Sequence, residues 1–185
     1  MNLPNKLTLT RILLVPVFMV FVSLTSLSGI ADGSFQPTYY LIAGIVFAAA
    51  SFTDFLDGHL ARKWNMVTDF GKFADPLADK LLTTVAFIYM MRDGVCSPVV
   101  LCIILAREFA VSGLRMVAAD KGRVIAAGWS GKVKTASTMV CICLMLLLPR
   151  FVELSAICVA VIVLTTIWSG VEYFMKNLDV LSEVK

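Results

Sequence analysis

The stretch DFLDGHLARKWNMVTDFGKFADPLADK, residues 54–80, decides how the rest of the chain is read. It holds five aspartates, Asp54, Asp57, Asp69, Asp75 and Asp79, of the thirteen acidic residues in a chain of 185. The sequence on either side is apolar. Hydrophobic residues make up 59% of the chain and charged residues 16%, against roughly half and a quarter in soluble domains. That composition marks an integral membrane protein with a single domain, residues 1–185.

Apolar runs lie at 12–30, 38–56, 81–91, 97–118, 136–149 and 154–172. A helix needs about 20 residues to cross a bilayer. The third run is too short unless its helix starts near Phe70, which draws Asp75 and Asp79 into the membrane zone. The fifth likewise needs residues from Trp129 onward. The expected fold is an all-α polytopic membrane protein with six transmembrane helices. Residues 1–11, MNLPNKLTLTR, form either a short N-terminal interfacial helix, with Leu3, Leu7 and Leu9 beside Lys6 and Arg11, or the polar start of the first span.

Lys and Arg set the orientation. Counting the N-terminus and every second connection, one side collects Lys6, Arg11, Arg62, Lys63, Lys72, Lys121, Arg123, Lys132, Lys134, Lys176 and Lys185. The other side holds Arg92 and Arg150. The positive-inside rule then places the chain as a multi-pass protein of the cell membrane, with both termini and the Asp-rich stretch facing the cytoplasm. The net charge of +3 gives no ground for a nucleic-acid partner. The five cysteines, at 96, 102, 141, 143 and 158, lie in or beside apolar runs and read as free thiols acting as small hydrophobes. Trp64, Trp129, Trp168 and Tyr173 read as anchors at the membrane surface.

The aspartates follow helical spacing. Asp54 and Asp57 are three apart, and Gly71, Asp75 and Asp79 are spaced four and four. Each set shares one helix face. A carboxylate near the bilayer centre costs about 2.5–3.5 kcal/mol on insertion scales, and facing pairs repel. Four of them persist only if cations neutralise them. Carboxylates without His or Cys suit two divalent cations, Mg²⁺ or Mn²⁺. A pair of such ions is the arrangement that clamps an in-line phosphoryl displacement. Gly58 and Gly71 remove side chains beside the aspartates, and Arg62 stands where a phosphate would arrive. Asp69 falls off both faces and reads as a solvated helix end, and His59 as a rim residue without catalytic duty.

Asp54, Asp57, Gly58, Ala61, Arg62, Gly71, Asp75 and Asp79 together resemble the signature of the CDP-alcohol phosphotransferases, D-x2-D-G-x2-A-R-x8-G-x3-D-x3-D, with no departure. That resemblance implies six transmembrane helices and a homodimer. It makes Asp54, Asp57 and Asp75 metal ligands, and Asp79 the general base with access to a metal. Gly58, Ala61, Arg62 and Gly71 would line the pocket for a CDP-activated lipid, with Thr8 and Arg11 contributing from the N-terminus. Further segments, NLPNKLTLTRI at 2–12, REF at 107–109, GLR at 113–115 and SGKVKT at 130–135, resemble one branch of that family. That branch joins CDP-diacylglycerol to glycerol 3-phosphate, giving phosphatidylglycerophosphate and CMP.

A phosphorylated acceptor needs cations. Arg107 and Arg115 lie two turns apart in an apolar run, and Lys132, Lys134 and Thr135 open the fifth span. Intramembrane Arg is a functional candidate by default. Alternatively Glu108, seven residues before Arg115, pairs with it and stitches helices, and the lysines are topological charge. Other acceptors within the family are inositol, inositol phosphate, serine and phosphatidylglycerol. A cation transporter is the reading from another class, but it would spread ionisable groups across depth and over repeats. An intramembrane prenyltransferase would want a second Asp-rich motif, and none follows residue 93.

Overall fold

The computed structural model describes residues 3–26, 29, 35–63, 69–123, 125–126 and 128–182; for 3–7, 54–63, 69–76, 79 and 181–182 that description covers the backbone alone. The regular structure among the described residues is helical throughout. It comprises α1 (Leu3–Ser23), α2 (Pro37–Lys63), α3 (Asp69–Arg92), α4 (Pro98–Asp120), α5 (Trp129–Leu147), α6 (Val152–Met175) and a short α7 (Leu178–Ser182).

Both helix starts inferred from span length are present. α3 begins at Asp69 and α5 at Trp129. Residues 3–23 form one helix, so the described residues hold no separate N-terminal helix. Pro16 inside α1 removes one backbone donor, and the helix continues through it. The apolar run that extends to residue 30 is helical in α1 only to Ser23. The reason lies in α3, whose Arg92 Nη2 donates to the carbonyls of Val22 at 3.1 Å and Thr25 at 2.8 Å. A side-chain donor takes the orphan carbonyls that another helical turn would have used. Asp93 completes this knot, accepting from Ser26 Oγ at 2.8 Å and Tyr40 Oη at 3.2 Å.

Two helix ends rest on glycine. Gly94 N–H donates to Met91 O and Val95 N–H to Met90 O, at 3.1 and 2.8 Å. Gly122 N–H and Arg123 N–H repeat the pattern on Ala119 O and Ala118 O, at 2.9 and 2.8 Å. This paired cap needs a left-handed residue, and the two glycines have φ of 72° and 71°.

α1 packs on α2 and α3, α2 on α5, α5 on α6, and α6 on α4. Phe18 of α1 is fully buried in the core, with ring centroids 6.0 Å from Phe47 and 6.3 Å from Tyr89. α2 approaches α5 closely through Gly44, where an added Cβ would come within 2.9 Å of Leu147 Cδ2 and 3.3 Å of Leu146 Cβ. Small residues at such crossings are how helices associate in lipid. Cys96, Cys141 and Cys158 are buried free thiols, and Cys102 is an exposed one.

The outer surface is apolar. Leu13, Val20, Phe52, Phe109, Met116, Val152 and Leu164 all stand exposed. So many large apolar side chains on the outside suit lipid better than water. α5 and α6 are long and apolar enough to cross a bilayer. The chain is a membrane protein. Trp129 and Trp168 are exposed, and Trp64 lies outside the described residues.

Candidate active site

The signature aspartates sit on two helices that touch. Asp54 and Asp57 belong to the last three turns of α2, and Asp75 and Asp79 to the first three turns of α3. The helical backbone keeps the members of each pair one turn apart, hence on one face. The donor set is carboxylate alone, which fits hard divalent cations. The side chains of Asp54, Asp57, Gly58, His59, Ala61, Arg62, Asp69, Gly71, Asp75 and Asp79 lie outside the described residues. Among the described residues, no three His, Cys, Asp or Glu side chains are placed to hold a metal.

α1 packs against both of these helices. Thr8 is 1% exposed and Arg11 is fully buried, on the helix that packs against both α2 and α3. A buried guanidinium is tolerated only with compensating partners, and Arg11 has them. Its depth fits a place beside the acidic helices rather than among the surface cations that set topology.

The cations expected to bind an acceptor divide into two groups. Arg107 and Lys134 come together on Glu108: its Oε1 accepts from Arg107 Nη1 at 3.0 Å and from Lys134 Nζ at 2.5 Å. Arg107 Nη2 also donates to Ser169 Oγ of α6 at 2.6 Å, while its buried Nε makes no hydrogen bond. Gly170 makes room for this side chain; a Cβ there would stand 3.2 Å from Arg107 Cγ. Lys134 is 8% exposed. Lys132 and Thr135 are exposed on α5. The two-residue step from Lys132 to Lys134 turns a helix by about 200°, which puts the two side chains on opposite faces.

Glu108 does not pair with Arg115. Seven residues are about 10 Å along a helix axis, and Arg107, Lys80 and Lys134 lie nearer the carboxylate. Arg115 instead donates from Nε to Tyr173 Oη at 3.0 Å, with its guanidinium 5.5 Å from that ring. This corrects the reading of Tyr173 as a membrane-surface anchor. It is 7% exposed and fixes Arg115 from α6, in a cluster with Val111, Leu114, Ala118 and Val180.

Lys80 is a member of the constellation that sequence reasoning missed. Its Nζ donates to Ser112 Oγ at 2.5 Å and lies 3.8 Å from Glu108 Oε2. The available signal was its place directly after Asp79, where a charge on a membrane helix merits a functional reading. Lys80, Glu108, Lys134 and Thr138 line a cavity of about 70 Å³ between α3, α4 and α5. The buried Thr138 hydroxyl has no hydrogen-bond partner there. The cavity presents two of the cations, Lys80 and Lys134, with Glu108 and the Thr138 hydroxyl against apolar walls that include Phe87, Ile104 and Phe109, and Arg107 reaches Glu108 from outside its lining.

The sequence matches the CDP-alcohol phosphatidyltransferase family over residues 1–168. It is 43% identical to the CDP-diacylglycerol–glycerol-3-phosphate 3-phosphatidyltransferase of Bacillus subtilis, with 97% of each chain covered. It is 36% identical to the Escherichia coli K12 protein of that name, over 93% of this chain and 92% of the other. A probable phosphatidylglycerophosphate synthase of Mycobacterium tuberculosis is 38% identical over 96% of this chain and 82% of its own. With the signature aspartates on two touching helices and a likeness that runs the length of the chain, this protein belongs to the CDP-alcohol phosphatidyltransferase family.

Proposed function

We propose that the protein transfers the phosphatidyl group of CDP-diacylglycerol to glycerol 3-phosphate, giving phosphatidylglycerophosphate and CMP. The acceptor's hydroxyl oxygen bonds to the phosphorus bearing the diacylglycerol as the bond from that phosphorus to CMP breaks. The Asp79 carboxylate takes the hydroxyl proton. Gly58, Ala61, Arg62 and Gly71, with Thr8 and Arg11, hold the CDP end of the donor. Arg107 and Lys134 hold the acceptor's phosphate; Arg115, Lys132 and Thr135, the other acceptor residues expected from the sequence, lie outside the Glu108 cluster and would act only from its surroundings. Two divalent cations, Mg²⁺ or Mn²⁺, would be held by Asp54, Asp57, Asp75 and Asp79, and when bound they would neutralise pyrophosphate charge.

The observation that carries the acceptor assignment is the cluster of Arg107, Lys134 and Lys80 on a single carboxylate. Its surplus of positive charge complements a phosphate monoester and has no use for serine or free inositol. Six of the helices, each 19 residues or longer, are span-length by the rise of an α-helix. In this reading all six cross the cell membrane, the active site and both termini face the cytoplasm, and two copies form a homodimer.

The test is CMP release by purified protein in detergent with CDP-diacylglycerol and Mg²⁺ or Mn²⁺. Release is expected with glycerol 3-phosphate and not with inositol, serine or phosphatidylglycerol, and a chelator should stop it. Release with inositol phosphate instead would move the acceptor and keep the chemistry. No release with any acceptor, in folded protein, would return the transporter reading.

A further inference from the structure

We propose that Glu108 is a positioning residue of the acceptor site, gathering cations from three helices and setting their charge to match a phosphate dianion. The inference rests on the glycerol 3-phosphate reading and deepens it. Glu108 lies on α4. Its Oε1 takes Arg107 Nη1 at 3.0 Å and Lys134 Nζ of α5 at 2.5 Å, and its Oε2 is 3.8 Å from Lys80 Nζ of α3. Three ammonium and guanidinium groups at this separation repel one another unless a carboxylate sits between them. With Glu108 in place the cluster keeps two positive charges in excess. A phosphate monoester carries about 1.5 to 2 negative charges at neutral pH. Arg107 Nε and Thr138 Oγ1 remain as buried donors without partners beside it.

The geometry also ties two functions together. Lys80 follows Asp79 on α3. By holding Lys80, whose other contact is Ser112 Oγ of α4 at 2.5 Å, the cluster sets the turn that bears the proposed base in register with the acceptor cations. Glu108 therefore acts through Arg107, Lys134 and Lys80, and touches no substrate.

The experiment measures CMP release by the wild type, Glu108→Gln and Glu108→Asp, varying each substrate at saturating levels of the other, with inorganic phosphate as a competitive probe. Glu108→Gln should raise the acceptor KM roughly tenfold or more, as expected for losing charge-assisted bonds. The phosphate inhibition constant should rise in parallel, and the CDP-diacylglycerol KM should stay unchanged. Glu108→Asp, which retains the charge one methylene further back, should give an intermediate acceptor KM. An unchanged acceptor KM, or both substrate KM values rising together, would overturn the inference and leave the acceptor reading intact. If Glu108→Gln does not fold, Glu108→Asp decides, and a wild-type acceptor KM there overturns it. A wild type that ignores glycerol 3-phosphate overturns the acceptor reading itself, and the inference with it.

Discussion

A carboxylate that accepts a proton cannot be replaced by its amide. Asp79→Asn should lower turnover by about 10²–10⁴-fold, the usual worth of general-base catalysis. Asp75→Asn should remove turnover by costing a metal ligand. Both variants should elute as the wild type does in detergent, and full CMP release from either would end the proposed chemistry. Arg107→Ala should act on the acceptor alone. It removes a charge-assisted donor worth about 1.5–3 kcal/mol, so acceptor kcat/KM should fall by roughly 10–150-fold. Acceptor kinetics unchanged from the wild type would take Arg107 out of the site.

At the level of elements, two glycines do different work and their variants should separate. Gly122 has φ of 71° and open space where a Cβ would go. Gly122→Ala should therefore cost only the left-handed backbone strain, about 1–2 kcal/mol. Asn at the same position should cost less, since its side chain tolerates that region. Gly44 has ordinary helical backbone and a crowded neighbour, with Leu147 and Leu146 of α5 in the path of a Cβ. Gly44→Val should overpack the α2–α5 crossing and destabilise by about 1–3 kcal/mol. Thermal melting in detergent reads both pairs. Equal loss from Asn and Ala at 122, or none from Val at 44, would contradict these assignments.

At the scale of the molecule, helix ends gather at two poles. Arg92 and Asp93 join the ends of α1, α2 and α3 at one pole, and Arg150 lies near Phe35 and Pro37 in a groove at that same end of α2. Lys121 and Arg123 hold α7 at the other pole. The prediction is that the pole with α7 faces the cytoplasm. A protease-cleavable tag after Lys185 should be cut in inside-out membrane vesicles and protected in right-side-out ones. The reverse pattern would overturn the orientation.

The sequence by itself determined the all-helical character, the starts of α3 and α5, and the family. These follow from quantities that residues carry locally: a bilayer has one thickness, a helix has one rise per residue, and the signature has fixed spacing. It also marked Arg107 and Lys134 as members of a cationic set, because charge in an apolar run is costly wherever it falls. What it could not determine was who meets whom. Glu108 and Arg115 share a helix face on paper, yet Glu108 takes Lys80, Arg107 and Lys134, and Arg115 takes Tyr173. The end of α1 was likewise set by Arg92, nearly seventy residues on. Side-chain partners across helices depend on how α3, α4, α5 and α6 are rotated and stacked against one another, and one-dimensional spacing holds no information about neighbouring helices. Only the tertiary structure decided that Lys80, Arg107, Glu108 and Lys134 form one cluster, joined through Lys80 to the turn that carries the proposed base.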